Sequence, residues 1–395
     1  MNFVYLSPNF PESSEHFCKA LKQKNVRVLG IGDADYNLLS TELKNSLEEY
    51  QKVSNLENYH EVKKACKYFE DKYGKIDWLE SNNEYWLLKD AALRTDFNIS
   101  TGLNNDTVAG IKYKSAMKEY YEKAKVKVAR HHLVKDYENC IKFIGEVGYP
   151  LIVKPDNGVG ASSTYKISNL DEFNYFYETK SSIQYIMEEF IQGELVSYDG
   201  IAGKNRKVIF ATSHRFPIPV MELVNDKKDV VYYTLREMPE TVRIAGESVI
   251  KAFETNSRFF HCEFFIMTED KDGLGKKGDI IGLEVNMRPP GGYIPDMMNY
   301  ASDVDVYEIW ANMITSNEEK CVTQRPYFCV SVARRDEKKY LHTQRDTEEK
   351  YKDDIMIKGR MPEAVSAAMG NDMIIARFKE FSMVEEFIDF YLKKT

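Results

Sequence analysis

The first hundred residues alternate short apolar runs with amphipathic segments, and this alternation is the feature that most restricts the possible folds. Segments 2–7, 26–32 and 76–81 have the apolar composition of buried β-strands. Segments 13–25 and 59–75 carry apolar residues at helical spacing, and the first opens on serines while the second ends beside a glycine. Strands that alternate with helices form a parallel sheet covered on both faces. We therefore expect an α/β domain at the N-terminus.

The rest of the chain changes pattern twice, which suggests further domains. A length of 395 residues is long for one core, since domains usually have roughly 100 to 200 residues. Near residue 108 the pattern becomes helical, and from 184 to 290 it is largely that of β-strands interrupted by one helix. We expect an α/β and α+β chain with three units: 1–107, 108–183 and 184–395.

Composition and charge exclude several functional classes. The formal charge is −8, whereas proteins that bind nucleic acid usually have a basic surface. The six cysteines show no C-x-x-C spacing and are typical of reduced thiols inside the cell. The N-terminus lacks the basic and apolar regions of a signal peptide, and no apolar run approaches the ~20 residues of a membrane span. We expect a cytoplasmic protein that binds neither nucleic acid nor membrane.

A glycine-rich loop follows a strand that contains a lysine, in the segment "GYPLIVKPDNGVGASSTYKI" (148–167). The loop contains Gly158, Gly160, Ser162 and Ser163, whose backbone N–H groups and hydroxyls are suited to phosphate oxygens. It is not a P-loop, because no Gly-Lys-Ser/Thr follows the glycines. Lys154 instead precedes the loop, where its ammonium can reach a phosphate as a point charge.

A second polar group is predicted on the strand within "DIIGLEVNMRPPGGY" (279–293). Alternation places Glu284, Asn286 and Arg288 on one face, while Leu283 and its apolar neighbours face the other way. This pattern also fits the solvated face of an antiparallel sheet. Glu263, however, lies among apolar residues in "FFHCEFFIM", where a carboxylate needs a partner. Two carboxylates and an amide oxygen suit Mg²⁺ or Mn²⁺ shared with the phosphates of a nucleotide.

These motifs, in this order, resemble those of the ATP-grasp superfamily over roughly residues 108 to 300, behind a Rossmann-like N-terminal domain. The resemblance implies that Lys114 and Lys154 contact the phosphates of ATP. It implies that Glu263, Glu284 and Asn286 are the metal ligands, since the family has a Glu on one strand and Glu-x-Asn on the next.

The segment "MEEFIQGE" resembles the strand that joins the two ATP-grasp subdomains. By this resemblance Glu188 meets the adenine amino group, the backbone of Glu189 and Ile191 pairs with the ring, and Glu194 holds the ribose.

Arg288 resembles an arginine that steadies an acyl phosphate or a substrate carboxylate in this superfamily. It is followed by Pro-Pro-Gly-Gly-Tyr, as in carboxylate-amine ligases, and not by the Arg-x-x-x-Glu-His stretch of biotin carboxylases. Arg288 and Lys154 are therefore the expected catalytic residues, and Gly291 and Gly292 are candidate substrate contacts.

The sequence offers two further candidate substrate contacts, each with an alternative role. His214 is either a surface histidine or a substrate contact. Glu84 follows a predicted strand, where open α/β sheets bind ligands, but it could equally cap the next helix.

The resemblance implies an ATP-dependent ligase that uses Mg²⁺ or Mn²⁺. Its partners would be a small carboxylate, activated as an acyl phosphate, and an amine that attacks it with release of ADP and phosphate. Two alternatives stay open: a biotin-carboxylase-like or carbamoyl-phosphate-like enzyme that activates bicarbonate, and a catalytically silent nucleotide-binding regulator. Dimers are common among similar proteins, so a homodimer is also an expectation.

Overall fold

The N-terminal part of the chain is an α/β unit. The computed structural model describes residues 1–158, 163–218, 223, 227–316, 321–322 and 324–395. The first strands are β1 (Asn2–Leu6), β2 (Arg27–Gly32), β3 (Glu49–Lys52) and β4 (Trp78–Glu80), which form a parallel sheet in the order β3-β2-β1-β4. The helices are α1 (Ser14–Gln23), α2 (Thr41–Ser46), α3 (Tyr59–Tyr73) and α4 (Leu87–Asp96). A short 3-10 helix spans Tyr36–Leu38. The parallel sheet expected from the alternating pattern is confirmed.

A small antiparallel sheet follows further along the chain. Its strands are β6 (His131–Val134), β7 (Leu151–Pro155), β8 (Tyr165–Ile167) and β9 (Tyr185–Glu189), in the order β6-β9-β7-β8. Helices α7 (Tyr137–Val147) and α8 (Leu170–Thr179) cover it through a core that includes Phe143 and Phe173. The positive φ of Gly148 ends α7 just before β7 begins.

A large sheet makes up most of the remaining chain. Its strands within the described residues are β5 (Lys127–Val128), β10 (Gly193–Ala202), β11 (Val208–Thr212), β12 (His214–Phe216), β13 (Val230–Thr234), β14 (Arg258–Met267), β15 (Ile280–Asn286), β16 (Phe328–Arg334), β17 (Ile355–Arg360) and β18 (Asp372–Phe378). They follow the order β17-β18-β16-β13-β12-β10-β14-β15-β5, and β11 pairs with β10.

The helices around this sheet are α5 (Ala109–Lys112), α6 (Lys114–Lys123), α9 (Glu240–Ala252), α10 (Ile294–Ser302), α11 (Val306–Thr315), α12 (Gln344–Lys350), α13 (Glu363–Met369) and α14 (Phe381–Leu392). A second 3-10 helix spans Lys204–Arg206. Helix α6 packs against β15, and strand β5 pairs with β15, so α6 and β5 both belong with the large sheet. The predicted boundary at residue 183 groups α6 and β5 with the small sheet, and the three-unit division stays a prediction.

One apolar core joins the N-terminal part to the large sheet. The Phe17 ring of α1 meets the Phe259 ring of β14 at a centroid distance of 5.7 Å and the Trp310 ring of α11 at 5.0 Å. All three side chains are buried in this core. Burial of aromatic rings contributes strongly to such contacts, so this core holds α1 of the N-terminal part against β14 and α11.

A β-bulge in β15 changes which residues share a face. Glu284 pairs with Glu263, but the next pair is Gly282 with Phe264, so Leu283 is an extra residue. Ile281 and Glu284 therefore lie on the same face, although strict alternation would separate them. The prediction that Leu283 faces away from Glu284 is wrong, because Leu283 lines the same cavity.

Among the helices of the described ranges, none has both the length and the apolar composition needed to cross a bilayer.

Candidate active site

A cavity of about 580 Å³ lies between the small sheet and the large sheet. Helix α6, strands β7, β9, β14 and β15, and the loop after β4 all contribute to its walls. Ten of the predicted site residues line it: Glu84, Lys114, Lys154, Glu188, Glu189, Ile191, Glu263, Glu284, Asn286 and Arg288.

Lys114 connects the glycine-rich loop to the large sheet. It is the first residue of α6, and its backbone N–H donates to the Asp156 carbonyl at 2.8 Å. The Asp156 carboxylate accepts hydrogen bonds from the Ser115 N–H and hydroxyl, both at 2.8 Å, which ties this helix end to the end of β7. The buried Lys114 ammonium then donates to the Gly158 carbonyl at 2.8 Å and lies 3.2 Å from the Glu284 carboxylate.

A second group of charges surrounds Glu188. The Lys154 ammonium lies 2.6 Å from one Glu188 oxygen, and the Lys118 ammonium lies 2.5 Å from the other. Burial alone would raise the pKa of Glu188, but the two ammonium groups outweigh it and hold that pKa well below its usual range. Lys118 was missed in the sequence analysis, although it lies four residues after Lys114 on the same helix and could have been found by that spacing.

The predicted adenine and ribose contacts are only partly at the cavity. The Glu188 carboxylate is already held by two lysines, and the Glu189 N–H donates to the Arg130 carbonyl at 3.0 Å. The Glu194 side chain points away from the cavity and pairs with Arg215 at 3.2 Å. Its neighbour Leu195 lines the cavity, and side chains alternate along β10, so the Glu194 carboxylate lies on the opposite face. The ribose contact through Glu194 is therefore not supported by its position.

The carboxylates predicted as metal ligands lie side by side. Glu263 and Glu284 are direct partners across β14 and β15, and Asn286 follows on the same face of β15. Burial raises the pKa of Glu284, Lys114 lowers it, and the nearby Glu84 and Glu263 carboxylates raise it further. This crowding of negative charge in a buried place is what a bound cation would relieve.

The described part of the chain holds no group of three His, Cys, Asp or Glu side chains arranged for a metal ion. A cation here would thus bind two carboxylates and the Asn286 amide oxygen, a set of hard oxygen donors that suits Mg²⁺. The residues present fit such an ion.

Arg288 is paired with a residue of the N-terminal part. Its guanidinium donates to the Glu84 carboxylate at 2.7 Å and to the Pro289 carbonyl at 2.8 Å. Lys112 lies 3.6 Å from the same Glu84 carboxylate. Burial raises the pKa of Glu84, but Arg288 and Lys112 lower it by more, so Glu84 stays ionised. The Glu84 side chain therefore pairs with Arg288 and does not cap the next helix, which was the alternative prediction.

His214 is neither a surface residue nor part of the cavity wall. Its side chain is 0% exposed, and its Nδ1 lies 2.7 Å from the Asp199 carboxylate. The other Asp199 oxygen lies 2.5 Å from Nδ1 of His261, and Nε2 of His261 lies 3.2 Å from Glu263. His261 does line the cavity.

Burial lowers the pKa of His261, but Asp199 outweighs it and raises that pKa to about 10. Both His261 and Asp199 were missed in the sequence analysis. The signal for His261 was its position two residues before Glu263, on the same face of β14.

Of the other predicted residues that the structure describes, Gly158, Ser163, Gly291 and Gly292 are not among those that line the cavity. Gly160 and Ser162 are outside the described residues. Gly158 contributes its carbonyl to Lys114, while Ser163 is exposed with a φ of 56°. Gly292 has a φ of +62°, a left-handed conformation that favours glycine. Substrate contacts by Gly291 and Gly292 stay predictions.

Comparison with known proteins agrees with this geometry. A model of the ATP-grasp domain matches residues 114–291. An L-arginine-specific L-amino acid ligase of Bacillus subtilis is 25% identical over 258 residues, which is 61% of this chain and 58% of that protein. The match thus spans less than two thirds of that relative's length.

Solved structures share the fold over nearly the whole chain. An L-amino acid ligase from Bacillus licheniformis superposes with a TM-score of 0.71 at 13% identity, covering 98% of this chain and 95% of that one. An N5-carboxyaminoimidazole synthetase from Staphylococcus aureus in complex with ADP also has a TM-score of 0.71 at 13% identity, covering 98% of this chain and 95% of that one. A biotin carboxylase domain from Hydrogenobacter thermophilus has a TM-score of 0.68 at 15% identity, covering 97% of this chain and 88% of its own. The chain therefore carries an ATP-grasp domain at residues 114–291, within a fold shared with these ligases and carboxylases.

Proposed function

We propose that this chain is an ATP-dependent ligase that joins a carboxylate to an amine. The proposal rests on one observation: three kinds of group line the same cavity. They are lysine ammonium groups suited to phosphates, oxygen donors suited to a metal ion, and a guanidinium suited to an acyl phosphate. The residues concerned are Lys114, Lys154, Glu263, Glu284, Asn286 and Arg288.

The lysines support the first half of the reaction, in which ATP phosphorylates the carboxylate. Phosphoryl transfer needs little covalent chemistry from a protein, and depends on positioning and on neutralising the charge of the phosphate oxygens. Lys114 and Lys154 present buried ammonium groups on two sides of the cavity, and both now pair with carboxylates. We propose that phosphate oxygens replace part of these contacts when ATP binds.

Glu263, Glu284 and Asn286 would hold Mg²⁺ or Mn²⁺. When bound, such an ion offsets the charge on the phosphate oxygens of ATP. The pairing of β14 with β15 already places the two carboxylates and the amide next to one another. Little rearrangement of these side chains would therefore be needed for an ion to bind.

Arg288 supports the second half of the reaction. We propose that its guanidinium steadies the acyl phosphate through a bidentate contact, a geometry for which guanidinium is well suited. The amine nitrogen then bonds to the acyl carbon, the bond from that carbon to the phosphate oxygen breaks, and phosphate and a proton leave. Glu84 orients Arg288 from the other side, which links the N-terminal part to this step.

Amino acids are the proposed substrates on both sides of the new bond. The similarity to an L-arginine-specific L-amino acid ligase supports this class. We also propose a cytoplasmic location, which the six unpaired cysteines support, and Mg²⁺ dependence. A homodimer stays a prediction.

The test measures release of ADP and phosphate from Mg²⁺ and ATP with a panel of amino acids, singly and in pairs. A ligase should release both only with the correct carboxylate, and mass spectrometry should detect the amide. Glu284→Gln, which keeps the side-chain shape, is the control for activity from contaminants. Stimulation by bicarbonate alone would favour the carboxylase-like alternative. ATP binding without turnover on any carboxylate would favour the silent regulator and refute the ligase.

A further inference from the structure

A continuous chain of hydrogen bonds runs from the interior of the large sheet to the cavity. It begins at His214 on β12, passes through Asp199 on β10, and reaches His261 and Glu263 on β14. His214 and Asp199 are both 0% exposed, and His261 is 6% exposed. Each link is at most 3.2 Å long, so the four side chains form one connected unit.

The sheet register brings these side chains to one face. Asp199 pairs with His261, and Ser197 pairs with Glu263, across β10 and β14. Both oxygens of Asp199 are engaged, one by His261 and the other by His214 and by the Ser197 hydroxyl. The His214 N–H also donates to the Ser197 hydroxyl at 3.1 Å. Asp199 is therefore held in one orientation, and its position determines that of the His261 ring.

Both nitrogens of His261 face carboxylate oxygens. Nδ1 lies 2.5 Å from Oδ1 of Asp199, which anchors the ring, and Nε2 lies 3.2 Å from Oε1 of Glu263. The His261 ring thus contacts one oxygen of Glu263, the residue that pairs with Glu284 across β14 and β15.

We propose that His261 is a positioning residue that holds the Glu263 carboxylate in the orientation needed to bind a divalent cation, and that Asp199 fixes His261 for this purpose. The inference rests on the metal site of the proposed function. Hydrogen bonds from such supporting groups typically change metal affinity by about 10 to 100-fold.

A purely structural role for His261 makes a different prediction. In that case the ring only satisfies the buried Asp199 charge, and the contact to Glu263 has no consequence. Two amide substitutions separate the roles, because each replaces one ring nitrogen. His261→Asn places its NH₂ near the position of Nδ1, which faces Asp199. His261→Gln extends its NH₂ toward the position of Nε2, which faces Glu263.

The experiment measures Mn²⁺ binding by electron paramagnetic resonance, in the presence of ADP, for the full-length wild type and both variants. Circular dichroism and thermal unfolding report folding. We expect His261→Asn to bind Mn²⁺ about 10 to 100-fold more weakly than wild type, and His261→Gln to retain more of the wild-type affinity than His261→Asn. Equal affinities in all three proteins, or stronger binding by the Asn variant, would overturn the proposal.

Asp199→Asn provides a second test if the His261 variants do not fold. It keeps the shape of the side chain but removes the charge that anchors His261, and we expect at least a tenfold loss of Mn²⁺ affinity. Unchanged affinity would overturn the proposal, and so would the failure of all three variants to fold, because the chain of bonds would then serve folding alone.

These readouts do not depend on the ligase substrates. Wild-type protein that binds Mn²⁺ with ADP but never ligates would refute the proposed reaction and leave the positioning role intact. Wild-type protein that does not bind Mn²⁺ would overturn the metal site and the positioning role together.

Discussion

The buried carboxylate of Glu80 should be one of the most important single groups for stability. Its Oε2 lies 2.9 Å from the guanidinium of Arg94 and 2.8 Å from that of Arg258. All three residues are at most 4% exposed. Arg258 also donates to the Met287 carbonyl at 3.0 Å, so Glu80 joins the N-terminal sheet to the residue before Arg288.

The substitution Glu80→Gln keeps the shape and removes the charge. Breaking a buried ion pair by removing one partner usually costs about 3–5 kcal/mol, because the other charge is left uncompensated. Here two guanidinium groups lose their carboxylate, although Arg94 keeps its bonds to the Leu79 carbonyl at 2.8 and 2.9 Å.

Asp90 should offset part of this cost. Burial and the nearby Glu80 charge outweigh the effect of Arg94 and together raise the pKa of Asp90 to about 7. Without the Glu80 charge, Asp90 should ionise more readily and compensate the arginines in part. We therefore expect a loss near the lower limit, about 3 kcal/mol in the free energy of unfolding.

Urea unfolding at pH 6, where Asp90 of the wild type is mostly protonated, measures this loss by tryptophan fluorescence and circular dichroism. Glu308→Gln is a matched control, because it breaks the surface ion pair between Glu308 on α11 and Lys24 of the N-terminal part. That variant should lose less than about 1 kcal/mol. A loss below 1 kcal/mol for Glu80→Gln, or one equal to that of the control, would refute the reasoning.

Three further predictions concern the site and its surroundings. Glu284→Gln should abolish turnover through weaker metal binding while circular dichroism stays unchanged; normal activity would remove Glu284 from the site. Lys154→Ala should raise the Kd for ATP about 10 to 100-fold by calorimetry, since a charged hydrogen bond contributes about 1.5–3 kcal/mol, whereas Lys127→Ala, at the surface, should not change it. Asp90 has a pKa raised to about 7 in the folded state against about 3.9 unfolded, so its contribution to stability is complete below pH 4 and is lost as the pH rises through 7. Asp90→Asn should therefore gain stability relative to wild type between pH 5 and pH 8, by up to about 3 kcal/mol in urea unfolding, and an equal difference at both pH values would contradict this pKa.

Much of the candidate site could be predicted because its chemistry is local. The alternation in β15 indicated that Glu284, Asn286 and Arg288 share a face, and all three line the cavity. The position of Lys154 before a glycine-rich loop likewise predicted its place in the cavity wall. These patterns depend only on strand geometry and side-chain type.

The rest depended on contacts between distant segments. The bulge at Leu283 arises from the pairing of β15 with β14, and it was not visible in β15 alone. His214 could not be assigned from its neighbours, because its partner Asp199 lies on another strand. The Glu194 carboxylate was assigned by its place in a motif, but the face that β10 presents to the cavity decided its direction.

The sequence by itself determined the elements of this protein and the kinds of chemistry they carry, because helical and strand periodicity and residue type act over a few neighbours. The tertiary structure decided which charges meet. Glu84 and Arg288 are separated by 204 positions, and Glu80 and Arg258 by 178. Such pairs form only when the N-terminal part packs on the large sheet. This packing excludes water, so each buried charge must be compensated by the opposite charge of its partner.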